Sequence, residues 1–174
     1  RRVGGPDSIA GIGDWVIGNG TLCAAISDPS HESVLSPQGG VLVDLGHCGR
    51  SDDHWGVLQP MLNLSRQSVL PVDEIRAELT SEQARIVTHG RLDGTRFETV
   101  YSLDPRAPHR LGIRTVLTRD AEGDLSLFLF GDVALHGNRQ LTPFTLSSEH
   151  PELSLGFAHP PVDIGSSFAM ARAM

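Results

Sequence analysis

The chain has 174 residues, of which 39% are hydrophobic and 20% charged, a composition typical of one folded globular domain. All 14 cationic residues are arginine, and 21 acidic residues bring the net charge to −7. This acidity disfavours nucleic acid and anionic membranes as partners. The lack of lysine excludes a Schiff-base lysine and the lysine of P-loop and kinase phosphate sites. No apolar run approaches the roughly 20 residues of a membrane helix, so we expect no membrane insertion.

Glycine and proline occur along the whole chain, which favours short strands joined by turns over long helices. Residues 14–17 and 21–26 are predicted to form a hairpin around Asn19 and Gly20. An Asn-Gly pair between two apolar runs is a strong hairpin signal, because both residues tolerate a positive φ. A buried strand is predicted next over residues 41–45.

The middle of the chain alternates apolar and polar residues with a period of two, as an antiparallel sheet with one wet face does. The segments with this pattern are residues 74–80, 85–92, 96–103 and 110–119. The stretch 72–85 is rich in Glu, Arg and Ala, but its apolar residues at 75, 77 and 79 have the spacing of a strand rather than a helix. An Asp93-Gly94 turn joins two of the segments, and a further strand is predicted over residues 125–129.

The C-terminal part of the sequence is less regular than the rest. We expect a single β-sandwich domain over residues 1–174, in which residues 137–174 begin a second part that is cut off. The last residues, 169–174, contain no terminating signal, and the first residues carry no apolar stretch of the signal-peptide type. We therefore expect a fragment of a longer polypeptide. A truncated sheet exposes an unpaired edge or an apolar strip, which favours a homodimer.

Two clusters carry a resemblance to a known family. Residues 13–22 show Gly-Asp-Trp followed by Asn19, and residues 36–45 show Pro-x-Gly-Gly followed by apolar residues and Asp44. This pair of patterns resembles the opening of the β-rich N-terminal module of large bacterial envelope proteins. The likeness covers roughly residues 10–140 and includes the segments 101–103 and 130–132.

The resemblance implies an all-β fold, an antiparallel β-sandwich similar to the galactose-mutarotase-like supersandwich. In that family the module often precedes a PHP-type metallohydrolase domain, whose histidine-rich signatures do not occur in this sequence. The resemblance further implies a location in the cell envelope or periplasm, with neighbouring domains of the parent protein and carbohydrate as partners.

The densest polar stretch runs from residue 44 to residue 55. Its candidate metal ligands are His47, Asp52 and His54, since imidazole and carboxylate groups bind divalent transition metals. No established metal-ligand spacing supports them, and the stretch is equally typical of a polar loop in which Asp52 and Asp53 form a turn. We expect no cofactor.

Asp132 and His136 are the candidate catalytic residues, at the end of the strand predicted before them. Mutarotase-like enzymes use a histidine and a carboxylate as acid and base on a sugar ring, which needs both groups near one oxygen. The alternative is a turn-capping aspartate and a solvated histidine. Trp55 and Tyr101 are candidate platforms for sugar binding, whereas Trp15 is expected in the core.

Two cysteines leave two alternatives open. Cys23 lies in an apolar strand and Cys48 in the polar stretch, so they form either one disulfide or two free thiols. For the whole chain, the sequence favours a non-catalytic binding or scaffolding domain of a larger bacterial protein, facing carbohydrate. The alternatives are a sugar-processing enzyme of the aldose-epimerase type and a purely structural packing module.

Overall fold

The computed structural model describes residues 3–32, 36–53, 55–62, 69–92 and 94–119, and the backbone of residues 130–136. In these residues the chain forms strands and no helix, and all paired strands are antiparallel, which confirms the predicted all-β class. The nine strands are β1 (Trp15–Gly18), β2 (Leu22–Ile26), β3 (Leu42–His47), β4 (Trp55–Leu62), β5 (Val72–Leu79), β6 (Ala84–Leu92), β7 (Thr95–Leu103), β8 (Leu111–Arg119) and β9 (Phe130–His136).

The strands form two sheets that enclose a shared apolar core. The first sheet has the order β1-β2-β3-β4-β9, and the second has the order β5-β6-β7-β8. Side chains from both sheets meet between them in one cluster, in which the buried members are Ile17, Ala24, Ile26, Leu42, Leu58, Ile86, Tyr101 and Leu103. This arrangement is a β-sandwich, and it leaves the outer face of the second sheet to solvent.

The first hairpin forms at the predicted place, with a positive φ at Gly20 and hydrogen bonds to the side chain of Asn19. Gly20 has a φ of +93°, a conformation that glycine adopts without strain. The Asn19 Oδ1 atom accepts hydrogen bonds from the backbone N–H groups of Thr21 (3.0 Å) and Leu22 (2.8 Å). Its Nδ2 group donates to the carbonyls of Asp104 (3.3 Å) and Pro108 (3.2 Å), which ties this turn to the β7–β8 loop of the other sheet.

The second sheet is a regular meander. Residues 72–85 form β5 and the start of β6, as the strand spacing predicted. The strands β6 and β7 pair over nine residues, and so do β7 and β8. The strand predicted over residues 125–129 and the irregular tail from residue 137 lie outside the described residues.

A short N-terminal segment, residues 3–10, covers the face of the first sheet that points away from the core. We call it the N-terminal strap. Val3 packs there in a cluster with Ala25, Val41 and other apolar residues of the sheet. A Cβ atom at Gly5 would lie 2.3 Å from the Asp53 carbonyl oxygen, so only glycine permits this approach of the strap.

Candidate functional site

His47 and Asp52, two of the three candidate metal ligands, are brought together by the structure. The His47 Nδ1 atom lies 2.7 Å from Asp52 Oδ2, and the His47 backbone N–H donates to Asp52 Oδ1 at 2.9 Å. Partial burial acts to raise the pKa of Asp52, but the hydrogen bonds from His47 outweigh it and hold that pKa below its ordinary value. His109 places its ring 5.9 Å from the His47 ring, centroid to centroid, and His54 is not among the described residues.

The described residues contain no group of three or more His, Cys, Asp or Glu side chains that could hold a metal ion. Cys48 does not offer a thiolate there, because it forms a disulfide with Cys23. The metal site therefore stays a prediction. The observed contact between His47 and Asp52 is an ordinary charge-assisted hydrogen bond.

The disulfide decides between the two alternatives that the sequence left open. The Cα atoms of Cys23 and Cys48 are 5.0 Å apart, within the range that a disulfide needs. The strands β2 and β3 pair antiparallel, and the Cys48 backbone N–H donates to the Thr21 carbonyl at 2.8 Å, just beyond the last paired residues. The two cysteines are 25 positions apart in the sequence, and the pairing of β2 with β3 brings them together.

The candidate catalytic residues Asp132 and His136 lie within strand β9, whereas the sequence placed them after the end of a strand. In the pairing with β4, Asp132 is opposite Pro60 and His136 is opposite Trp55. Four residues along a strand span about 13 Å at a rise of about 3.3 Å per residue. This spacing does not favour both groups acting on one sugar oxygen.

The candidate sugar platforms are packed against the protein core. Tyr101 is 1% exposed and contributes to the shared cluster, which does not favour its ring as a platform for a ligand, and this role stays a prediction. The alternation of β7 places odd-numbered residues inside, and Tyr101 follows that parity. Trp55 is partly buried and packs against the same cluster.

Two open clefts lie on the outer face of the second sheet, where the sequence predicted only a wet face. Their volumes are about 310 and 270 Å³, and they share His89, Arg96 and Phe97. We call them the His89 clefts. The first is completed by Asp73, Glu74, Gly90 and Arg91, and the second by Glu98, Val116 and Thr118.

Strand register builds the clefts. His89 is opposite Glu98 in the β6–β7 pairing, and the His89 Nε2 atom lies 2.9 Å from Glu98 Oε2. Two residues along each strand, on the same face, Arg91 is opposite Arg96. Phe97 points inward and is 2% exposed, so the clefts present polar groups rather than the face of this ring.

The charges that line each cleft balance when His89 is neutral. The first cleft combines two carboxylates with two guanidinium groups, and the second combines one of each. The clefts therefore offer hydrogen-bond donors and acceptors without a net charge. Sequence reasoning missed this site, since a period of two identifies a wet face but not which of its residues meet.

Asp14, the aspartate of the Gly-Asp-Trp pattern, has a structural role. Its carboxylate accepts hydrogen bonds from the backbone N–H groups of Gly11 and Asp28, both at 2.7 Å. His31 Nδ1 lies 2.8 Å from Asp14 Oδ1. This hydrogen bond and the carboxylate charge raise the pKa of His31 above its ordinary value.

Asp44, the aspartate of the second pattern, fastens the N-terminal strap to the first sheet. The side chain is fully buried, although it carries a carboxylate. It accepts hydrogen bonds from the Ser8 hydroxyl (2.9 Å) and from the backbone N–H groups of Ile9 (2.8 Å) and Ala10 (3.1 Å). These bonds compensate the burial of the charge.

A second buried acid, Asp53, interacts with Asp44. Its Oδ1 atom accepts from the backbone N–H groups of Leu45 (3.1 Å) and Trp55 (2.9 Å), while Oδ2 is buried without a hydrogen-bond donor in the described part of the chain. The pKa of Asp53 is raised to about 6, mainly because the carboxyl group is buried. The charge and hydrogen bond of the neighbouring Asp44 raise this pKa further. This acid pair has no access to solvent, so we assign it to the fold and not to a binding site.

Comparisons of this chain with protein-family models, curated proteins and solved structures found no match. Among the described residues, no helix has the length and apolar character needed to cross a membrane.

Proposed function

We propose that this chain is a non-catalytic binding module of a larger bacterial envelope protein, and that it binds carbohydrate in the His89 clefts. The observation that carries the proposal is the charge-balanced lining of carboxylate, guanidinium and imidazole groups on an open face. Sugar hydroxyls both donate and accept hydrogen bonds, and such planar polar groups complement them. The open shape of the clefts suits a ligand that continues beyond them, such as an oligosaccharide.

The rigidity of the surroundings supports a preformed site. The lining residues of β6 and β7 lie on a sheet in full register, without a bulge between these two strands. Binding then requires little reordering of the backbone, which lowers its entropic cost. The absence of an exposed ring among the lining residues predicts modest affinity, because stacking contributes nothing there.

The test uses the purified chain, a panel of neutral oligosaccharides and two matched variants. Arg96→Ala removes an arginine side chain that lines both clefts. Arg85→Ala removes another arginine side chain, on β6, that lines neither cleft. A ligand at 100 times its Kd stabilises the protein by about 2.7 kcal/mol, which a thermal shift detects. We expect Arg96→Ala to abolish the shift and Arg85→Ala to preserve it. Equal effects of the two variants, or no shift with any oligosaccharide, would refute the proposal.

One observation favours a second candidate function, a sugar-processing enzyme of the aldose-epimerase type. The His89 and Glu98 side chains meet at 2.9 Å inside a cleft and could exchange a proton with a sugar. An aldose interconversion assay at millimolar substrate distinguishes the two functions. Turnover that His89→Gln abolishes would make the chain an enzyme, and binding without turnover supports the module.

A further inference from the structure

The strands at the ends of the two sheets differ in how well they are protected against pairing with another chain. On the first sheet, β1 has only four residues, and such short edge strands offer little to pair with. On the second sheet, β5 carries a register shift between Val72 and Glu74, and a bulge of this kind also disfavours further pairing. The other end strand of the second sheet, β8, has nine residues that pair with β7 without a register shift.

In the described part of the chain, β8 has a strand neighbour on one side only. Alternate backbone N–H and C=O groups of such a strand point away from the sheet, where an additional strand can bind them. Ile113 and Val116 are 38% and 37% exposed, and they lie on opposite faces of β8. Each face of this edge therefore offers an apolar contact beside backbone groups that no described strand binds.

The charge along this edge has one sign. Arg114 lies within β8, Arg119 ends it and Arg110 precedes it, while no acidic residue occurs between them. Within the described structure, none of the three side chains forms an ion pair. The edge is thus cationic in a protein whose net charge is −7.

We propose that the β8 edge binds an extended acidic segment of a partner protein as an additional strand of the second sheet. Backbone hydrogen bonds provide the affinity in this mode of recognition, and alternate side chains provide the specificity. Acidic side chains of the segment lie beside Arg114, and apolar ones lie beside Ile113 on the other face. Pairing of β8 with β8 of a second copy is disfavoured, because it places three arginines of each copy along one edge.

The first test measures fluorescence anisotropy of labelled ten-residue peptides with the full chain at low salt. One peptide alternates glutamate with valine, and its counterpart alternates lysine with valine. We expect the glutamate peptide to bind and the lysine peptide not to bind. Arg114→Glu should weaken the binding of the glutamate peptide about tenfold, since an attractive charge pair becomes a repulsive one. The same variant should bind the lysine peptide. Arg85→Glu, on the same face but on an inner strand, is the matched control and should change neither.

A third peptide separates strand addition from simple charge attraction. It carries the same glutamates but proline in place of valine, so it lacks alternate backbone N–H donors. Failure of this peptide to bind supports strand addition, whereas binding equal to that of the valine peptide would overturn the proposal. A dimer in sedimentation that Arg114→Glu dissociates, without peptide binding, would assign the edge to a second copy and would also overturn it. Unchanged thermal unfolding of Arg114→Glu establishes that the variant is folded.

Discussion

Replacing Asp53 by asparagine tests the buried acid pair most directly. Among the described residues, Asp53 Oδ1 accepts two backbone hydrogen bonds and Oδ2 accepts none. An asparagine side chain can therefore keep its Oδ1 atom on the two N–H groups and direct its Nδ2–H donors to the unoccupied side, towards Asp44. The substitution removes a charge whose burial costs more than its two backbone hydrogen bonds offset.

The magnitude follows from the pKa of Asp53, which rises from 3.8 to about 6 in the folded protein. This rise corresponds to about 3 kcal/mol. The folded state holds the Asp53 proton more tightly than the unfolded state, so this contribution to the free energy of unfolding is present below pH 3.8 and is lost as the pH rises to about 6. Above pH 6 we expect Asp53→Asn to be more stable than the wild type, by up to about 3 kcal/mol.

The assay is urea unfolding of both proteins from pH 4 to pH 8, read as the difference in the free energy of unfolding. The difference isolates Asp53, because other carboxyl groups with lowered pKa values, such as Asp52, titrate equally in both proteins. Asp44→Asn is the contrasting variant. Each carboxylate oxygen of Asp44 accepts a hydrogen bond from a backbone N–H group. In either orientation of an asparagine, its NH2 group would face one of these donors, so we expect the substitution to lower the free energy of unfolding by about 1–3 kcal/mol. A difference between Asp53→Asn and wild type that does not change between pH 4 and pH 8 would refute the reasoning.

Three further predictions concern the core, the disulfide and a histidine. In the double variant Cys23→Ala/Cys48→Ala the free energy of unfolding should fall by about 3.5 kcal/mol, because the disulfide no longer restricts a 25-residue loop in the unfolded chain. A reductant should lower the Tm of the wild type but not that of the variant. The side chain of Leu42 is fully buried, so Leu42→Ala should lower the free energy of unfolding by about 2–5 kcal/mol, as measured with a denaturant. Leu79 is 86% exposed, so Leu79→Ala should change that free energy by less than about 0.5 kcal/mol. NMR should show that the His31 ring titrates with a pKa above 6.5. The hydrogen bond to Asp14 should then stabilise the folded protein at low pH, and this contribution is lost as the pH rises through that pKa. A pKa at or below 6.5 would contradict the pairing.

Local patterns predicted the elements of this fold because strands and turns depend on neighbouring residues. The spacing of residues 75, 77 and 79 identified β5 as a strand, and the Asn19-Gly20 pair located the first turn. The same parity argument, carried through β7, would have placed Tyr101 inside the core. The residue type of Tyr101 favours a sugar platform, whereas its position in the strand favours the core.

The site could not be predicted in the same way, since it depends on contacts between residues distant in the sequence. Asp44 was recognised only as part of a pattern, and its role in holding the strap depends on residues 34 to 36 positions earlier. His89 and Glu98 are not predictable as a pair from the sequence, because each alone is one of several polar residues on a wet face. Their contact follows from the register of β6 with β7.

The sequence by itself determined that this chain is all-β, where most of its strands run and where its first hairpin turns, because a period of two and an Asn-Gly turn act over a few residues. The tertiary structure alone decided that Cys23 bonds to Cys48, that two buried acids meet and that polar side chains form the His89 clefts. The physical reason is register, since a shift of one residue between strands moves every side chain to the other face and replaces its neighbours.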